Sequence, residues 1–187
     1  SGEAETIFFE KKNIVNEKLD QSIIQNNIKE ILRETNSRLI GIRDIYYEDN
    51  KIYISMLSEN DRGITINAYQ ADLSFEKLVF KDFFITDHYW GDYNVYSGGR
   101  LEKFKDNKIL FSIGFQNMWP AAQSLENTLG KIIAVDKDTS NFEFISSGHR
   151  NPQGLKYLNE ENIIINTEHG PKGGDEININ YIDKNNG

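Results

Sequence analysis

The 187-residue sequence contains no cysteine. Disulfide staples, thiolate metal sites and cysteine nucleophiles are therefore excluded, and either redox compartment remains open. Positive charge is scarce: 21 Lys and Arg stand against 29 Asp and Glu, for a net charge of −8. Phosphate backbones are bound by clustered Lys and Arg, so nucleic acid is excluded as a general partner. No segment approaches the ~18 consecutive apolar residues of a membrane-spanning helix. The chain opens on Ser1 with neither an initiator methionine nor a signal-peptide pattern, giving the expectation of a processed, trimmed or partial chain.

What remains suits a globular domain, or a piece of a larger one. Hydrophobic residues make up 38% and charged residues 27%, which supports a core and excludes wholesale disorder. Residues 5–9 (ETIFF) read as a strand. In residues 22–34 (SIIQNNIKEILRE), Ile24, Ile28 and Ile31 recur at helical spacing, and Ser22 with Gln25 forms a candidate capping box. A short helix is expected there; a strand pair broken by Gln-Asn-Asn is the alternative.

From residue 38 onward, β-rich runs alternate with Asp, Asn and Gly turns. Three stretches look like copies: IYYEDNKIYIS (45–55), EKFKDNKILFS (102–112) and KYLNEENIIIN (156–166). Lys51 aligns with Lys108, 57 residues on, and Lys108 with Asn162, 54 residues on. Each copy reads as strand, polar turn, strand. A second strand pair follows the first two copies, aligned at Phe75 and Phe142. A four-strand unit repeated at this period is the pattern of a β-propeller, which closes with roughly 4–8 blades. The expectation is an all-β chain: an N-terminal segment (1–37) and a partial β-propeller domain (38–187) of about three four-stranded blades. It would be part of a longer propeller or would associate to close; an open three-sheet protein is the alternative.

Four motifs carry a resemblance: SGGRL (97–101), NTLGKIIAVD (127–136), GHRNPQGL (148–155) and EHGPKGGDEIN (168–178). In order and approximate spacing they resemble the glucose/sorbosone dehydrogenase family of soluble aldose sugar dehydrogenases dependent on pyrroloquinoline quinone (PQQ). The resemblance implies a six-bladed propeller with the quinone over its central channel, this chain covering about half. It implies oxidation of an aldose at C1, a calcium ion beside PQQ, an external electron acceptor, the remaining propeller blades as partners, and a periplasmic or secreted location. By the same resemblance, Arg150, Asn151, Gln153 and His169 would hold the quinone. Backbone carbonyls of Gly170 and Pro171 would bind calcium, with Asp175 close by. The family places a general-base histidine where this chain has Tyr96; His88, eight residues upstream, is the substitute candidate.

The residue types suit those roles. Arginine offers a planar, always-charged fork for carboxylates. Calcium, a hard ion, takes backbone carbonyls and water. A base must remove the sugar hydroxyl proton, and tyrosine, with a reference pKa near 10, is a poor base at neutral pH unless a cation such as Arg100 or calcium lowers it. Tyr96 therefore favours a competing reading, a non-catalytic propeller that binds a ligand or protein. A third reading is a hydrolytic propeller using calcium-bound water. His149 reads as a hydrogen-bonded turn residue or a partner behind the cofactor. His149, His169, Asp175 and Glu176 also have zinc-ligand chemistry, without a compact zinc spacing. Tyr89, Trp90, Tyr93 and Tyr96 can stack on a sugar or pack a rim, as can Trp119, placed in a loop.

Overall fold

The computed structural model describes residues 7–10, 13–16, 24–86, 88–90, 97–115 and 119–181. Strands β1 (Ile7–Glu10) and β2 (Asn13–Asn16) form a small antiparallel hairpin. β3 (Gln25–Asn26) precedes α1 (Ile28–Glu34). The helix thus starts later than the capping box at Ser22 suggests, and its N-cap, Asn27, makes no side-chain capping bond. The cause is a competing commitment. Asn27 Nδ2 donates to the Phe80 carbonyl at 3.0 Å, and its Oδ1 accepts the Phe80 N–H at 2.8 Å.

Three sheets follow. The first contains β4 (Arg38–Glu48), β5 (Lys51–Asn60), β6 (Gly63–Asp72) and, after a short β7 (Lys77–Leu78), β8 (Lys81–Phe84), in the order β4-β5-β6-β8. The second contains β9 (Gly98–Lys103), β10 (Lys108–Ile113), then, past the short helix α2 (Trp119–Gln123), β11 (Lys131–Asp136) and β12 (Phe142–Ser147), ordered β9-β10-β11-β12. The third contains β13 (Pro152–Leu158), β14 (Ile163–Glu168) and, after a 3-10 turn at Pro171–Gly173, β15 (Glu176–Tyr181). Among the described residues no helix is long and apolar enough to cross a membrane.

The repeat is visible in the turns. Asp49 and Asn50 have φ of 51° and 59°, and Asp106 and Asn107 have 54° and 60°. Asp and Asn tolerate this left-handed region, and a two-residue loop with both φ positive matches the twist of a hairpin. Glu48 pairs directly with Lys51 across the first of them. The alignment of Phe75 with Phe142 needs correcting. Phe142 opens β12, the fourth strand of its unit, whereas Phe75 is 81% exposed in the loop before β7. The stretch after Phe75 is taken by parallel pairing of Lys77–Leu78 with β3, which delays the fourth strand to Lys81. Trp119, read as loop, begins α2; Pro120 suits a first helical turn, where its missing N–H costs nothing.

The sheets stack as propeller blades. On β10, Ile109, Phe111 and Ile113 join a buried cluster with Tyr53, Leu57 and Ile66 of the first sheet. Leu110, on the opposite face, joins Ile132 and Ala134 in a cluster with Tyr157 and Ile164 of the third. The period-2 alternation of one central strand thus supplies two cores. A third cluster on the first sheet's far face packs Ile28 and Ile31 of α1. The opening strands β4, β9 and β13 lie side by side. This is the all-β arrangement of four-stranded blades that the repeat implies, the third sheet having three strands among the described residues.

Lys131 opens β11 fully buried. Its Nζ donates to the carbonyls of Ala121 (3.1 Å), Ala122 (2.7 Å) and Leu129 (2.8 Å), which fixes α2 against the sheet. Burial pushes its pKa down to about 8. Between about 8 and the unfolded value near 10.4, the unfolded chain therefore binds more protons, and stability rises with pH through that window. Comparing wild type with Lys131→Met by urea unfolding from pH 7 to 10.5 checks this. The wild type should gain stability relative to the variant as pH rises; a constant difference contradicts the account.

Candidate functional site

Antiparallel pairing brings the start of β13 and the end of β14 to the same edge, with Pro152 opposite Glu168. The Arg150–Asn151 loop and the turn after Glu168 therefore meet. Glu168 joins them. Its Oε1 accepts the backbone N–H of Arg150 and that of Asn151, the latter at 3.2 Å. Its Oε2 lies 2.9 Å from His149 Nδ1. His149 Nε2 lies 2.7 Å from Ser146 Oγ on β12. Burial pushes the Glu168 carboxyl up, but the bonds from His149, Arg150 and Asn151 outweigh it and hold the pKa below the usual range.

The loop backbone is pinned at every residue. His149 N–H donates to Gly130 O, Phe115 N–H to Arg150 O and His169 N–H to Asn151 O, at 3.0, 2.7 and 3.2 Å. Gly130 permits this approach: its φ is +64°, and a Cβ would stand 2.7 Å from the His149 carbonyl oxygen. Arg150 Nη1 donates to the carbonyl of His169 at 2.9 Å, linking loop and turn through a side chain.

Asn151 is fully buried, and its Oδ1 accepts the Gly98 N–H at 3.0 Å. Its Nδ2 has no hydrogen-bond partner among the described residues. Gln153 turns its carbonyl to Arg100, whose Nε donates to it and whose Nη1 donates to Arg43 O at 3.1 Å. Arg100 thereby ties β4, β9 and β13 together. Asp175 Oδ1 lies 3.2 Å from His169 Nδ1 and accepts the Gly170 N–H at 3.1 Å; His169 and that amide hold its pKa down. Gly170 is required by closeness, because a Cβ there would lie 1.7 Å from the Gly174 carbonyl oxygen.

Two adjoining hollows flank this edge. One, about 270 Å³, is lined by Gln153, Thr167, Glu168, His169 and Asp175. The other, about 390 Å³, is lined by His149, Arg150, Glu168, Gly170 and Asn178. The structure thus gathers Arg150, Asn151, Gln153, His169, Gly170 and Asp175 at one edge; all but the buried Asn151 line one or other of two hollows that share Glu168. His88 sits after β8, its N–H donating to Thr86 Oγ1 at 3.4 Å. Tyr96, the base position, and Tyr93 lie outside the described residues. Zinc chemistry is not assembled. His149 faces Glu168 and Ser146, His169 faces Asp175, and no group of three His, Asp or Glu converges among the described residues.

Glu168 was the residue the motifs did not single out. A signal existed: Ile164, Asn166 and Glu168 alternate along β14, and all three are buried.

The donor set fits a carboxylate-bearing planar cofactor. An arginine fork and an imidazole supply hydrogen-bond donors, and the Gly170–Pro171 turn supplies carbonyls of the kind a hard cation accepts.

Comparison with known proteins points to one family. The family profile described as glucose/sorbosone dehydrogenase matches residues 10–187. The aldose sugar dehydrogenase YliI of Escherichia coli K12 is 34% identical over 103 residues, covering 48% of this chain and 28% of that protein. A solved structure titled glucose dehydrogenase superposes with a TM-score of 0.65 at 25% identity, covering 78% of this chain and 52% of that one. The PQQ-bound form of an aldose sugar dehydrogenase from Streptomyces coelicolor gives a TM-score of 0.56 at 22% identity, covering 77% and 46%, a likeness of fold. The chain spans about half the length of these solved structures and a smaller share of the curated relative.

Proposed function

The chain belongs to the glucose/sorbosone dehydrogenase family, and on that premise we propose that it supplies the cofactor-binding edge of a PQQ- and calcium-dependent aldose dehydrogenase. The observation that carries the reading is the meeting of the Arg150 loop with the Gly170–Pro171 turn at one edge of the β13–β14 pair. Arg150 would hold cofactor carboxylates from one hollow and His169 and Gln153 from the adjoining one, with Asn151 supporting the loop behind them through the Gly98 N–H. The carbonyls of Gly170 and Pro171 would hold calcium, and Asp175 would fix the turn through the Gly170 amide. When bound, the quinone would accept hydride and calcium would polarise it as a Lewis acid. The substrate would be an aldose oxidised at C1 to a lactone, the electrons passing to an external acceptor. The remaining blades would complete the channel, in a periplasmic or secreted protein.

The base would be Tyr96 or His88. Tyrosine at that position also supports a second reading, a propeller that binds its ligand without turning it over. Reconstitution of the whole protein with PQQ and calcium separates the two. Dye reduction with aldoses is the expected result for the enzyme. An inactive protein that binds PQQ and gains turnover in Tyr96→His identifies a lapsed enzyme. Absence of any spectral change on adding PQQ and calcium refutes the enzyme and favours a module that binds another ligand or a protein. In the bound case, Arg150→Ala should weaken PQQ by about 1.5–3 kcal/mol, the range for a hydrogen bond to a charged group.

A further inference from the structure

We propose that Glu168 is a positioning residue that couples the Arg150 loop to the Gly170–Pro171 turn, setting both from one buried carboxylate. The proposal rests on the reading of these elements as a cofactor and calcium site.

The chain geometry makes the coupling direct. Glu168 is the last residue of β14, so His169, Gly170 and Pro171 follow it without a break. Its carboxylate meanwhile holds the opposite loop by two backbone amides and by His149. Asn166 and Asn178 approach Oε2 with their Nδ2 at 3.5 Å each, so neighbouring positions on β14 and β15 also face the group. Side-chain exposures of 6% for His149 and 8% for Glu168 leave little water to substitute for a lost contact. A displacement of this carboxylate therefore moves the arginine and the calcium-facing carbonyls relative to each other.

His149 extends the coupling to a second sheet. With Nδ1–H donated to Glu168, Nε2 is left to accept the Ser146 hydroxyl at 2.7 Å on β12. A serine, histidine and carboxylate in line also resemble a hydrolytic relay. The other oxygen of this carboxylate goes to the amides of Arg150 and Asn151, which assigns the group to holding the loop.

Glu168→Gln keeps the size of the side chain but removes the charge and replaces one acceptor oxygen with a donor, so His149 must take the tautomer that accepts at Nδ1 and the loop amides keep only a neutral, weaker acceptor. In the ligand-free chain, amide exchange should quicken at Arg150 and Asn151, and NMR signals of residues 169–171 should shift with them. In the whole protein, PQQ and calcium affinity should fall together, by about 10–100-fold as for other partners that orient ligands from behind. The rate at saturating cofactor should change less. His149→Asn retains a donor at the Nδ1 place and should restore near-native binding where His149→Leu does not. Unchanged exchange at 150–151, unmoved signals at 169–171, or native PQQ and calcium affinity in Glu168→Gln each overturn the proposal. So does covalent labelling of Ser146 by a fluorophosphonate ester, which would establish the hydrolytic relay. A wild-type protein that binds neither ligand refutes the proposed function alone, because the exchange measurement still decides the coupling.

Discussion

Replacing Glu168 with alanine is expected to lower stability by about 3–5 kcal/mol, because three buried donors lose a carboxylate acceptor at about 1–3 kcal/mol each. The loss is large because the partners stay behind. His149 Nδ1 and the N–H groups of Arg150 and Asn151 all lose their acceptor. Each buried donor left unmet costs about 1–3 kcal/mol, and these costs do not simply add, because water from the adjoining hollows reaches part of the gap. Acid should reproduce part of the effect. Burial raises the carboxyl pKa, the bonds from His149 and the two amides lower it by more, and the net shift is downward. A depressed pKa contributes stability above the unfolded value, near 4.3, and loses it as pH falls through the folded one. The gap between wild type and Glu168→Ala should therefore narrow in strong acid and be widest near neutrality. Urea unfolding across pH tests both statements; a gap below about 1 kcal/mol at pH 7 contradicts them, being no more than an ordinary hydrogen bond.

Phe111→Ala should cost about 3–5 kcal/mol for a different reason, the cavity left by a large core ring. Phe111 is fully buried, and its ring meets Phe84 of the first sheet edge-on at 6.0 Å between centroids. It belongs to the cluster that joins the first two sheets, so its loss weakens the stacking as well as one strand. Phe75 provides the contrast. At 81% exposed, its replacement by alanine should change stability by no more than about 0.5 kcal/mol. Equal urea midpoints for the two variants would show that the core does not lie between the sheets.

The hairpins were legible because their signal is local. Asp-Asn turns between β-branched runs take the left-handed conformations seen at residues 49–50 and 106–107. The fourth strand of the first sheet was displaced because a distant element, β3, captures Lys77–Leu78; pairing over that separation leaves no local trace. The helix boundary moved for the same reason, with Asn27 held by Phe80 across 53 residues. The site divides similarly. Arg150, Asn151, Gln153, His169, Gly170 and Asp175 were found as motif residues, and folding brings them to one edge. Lys131 and Glu168 were not singled out, because their importance comes from acceptors and donors supplied by other segments. The alternation of Ile164, Asn166 and Glu168 on β14 was the available clue.

The central claim is that the Arg150 loop and the Gly170–Pro171 turn form one site for a carboxylate-bearing quinone and its calcium ion. Titrating the whole protein with PQQ, followed by the quinone's absorbance with calcium and then with chelator, tests it most directly. The account predicts saturable, calcium-dependent binding that Arg150→Ala weakens and Gly170→Ala impairs. Binding that is indifferent to calcium and to both substitutions, or no binding at all, would contradict it.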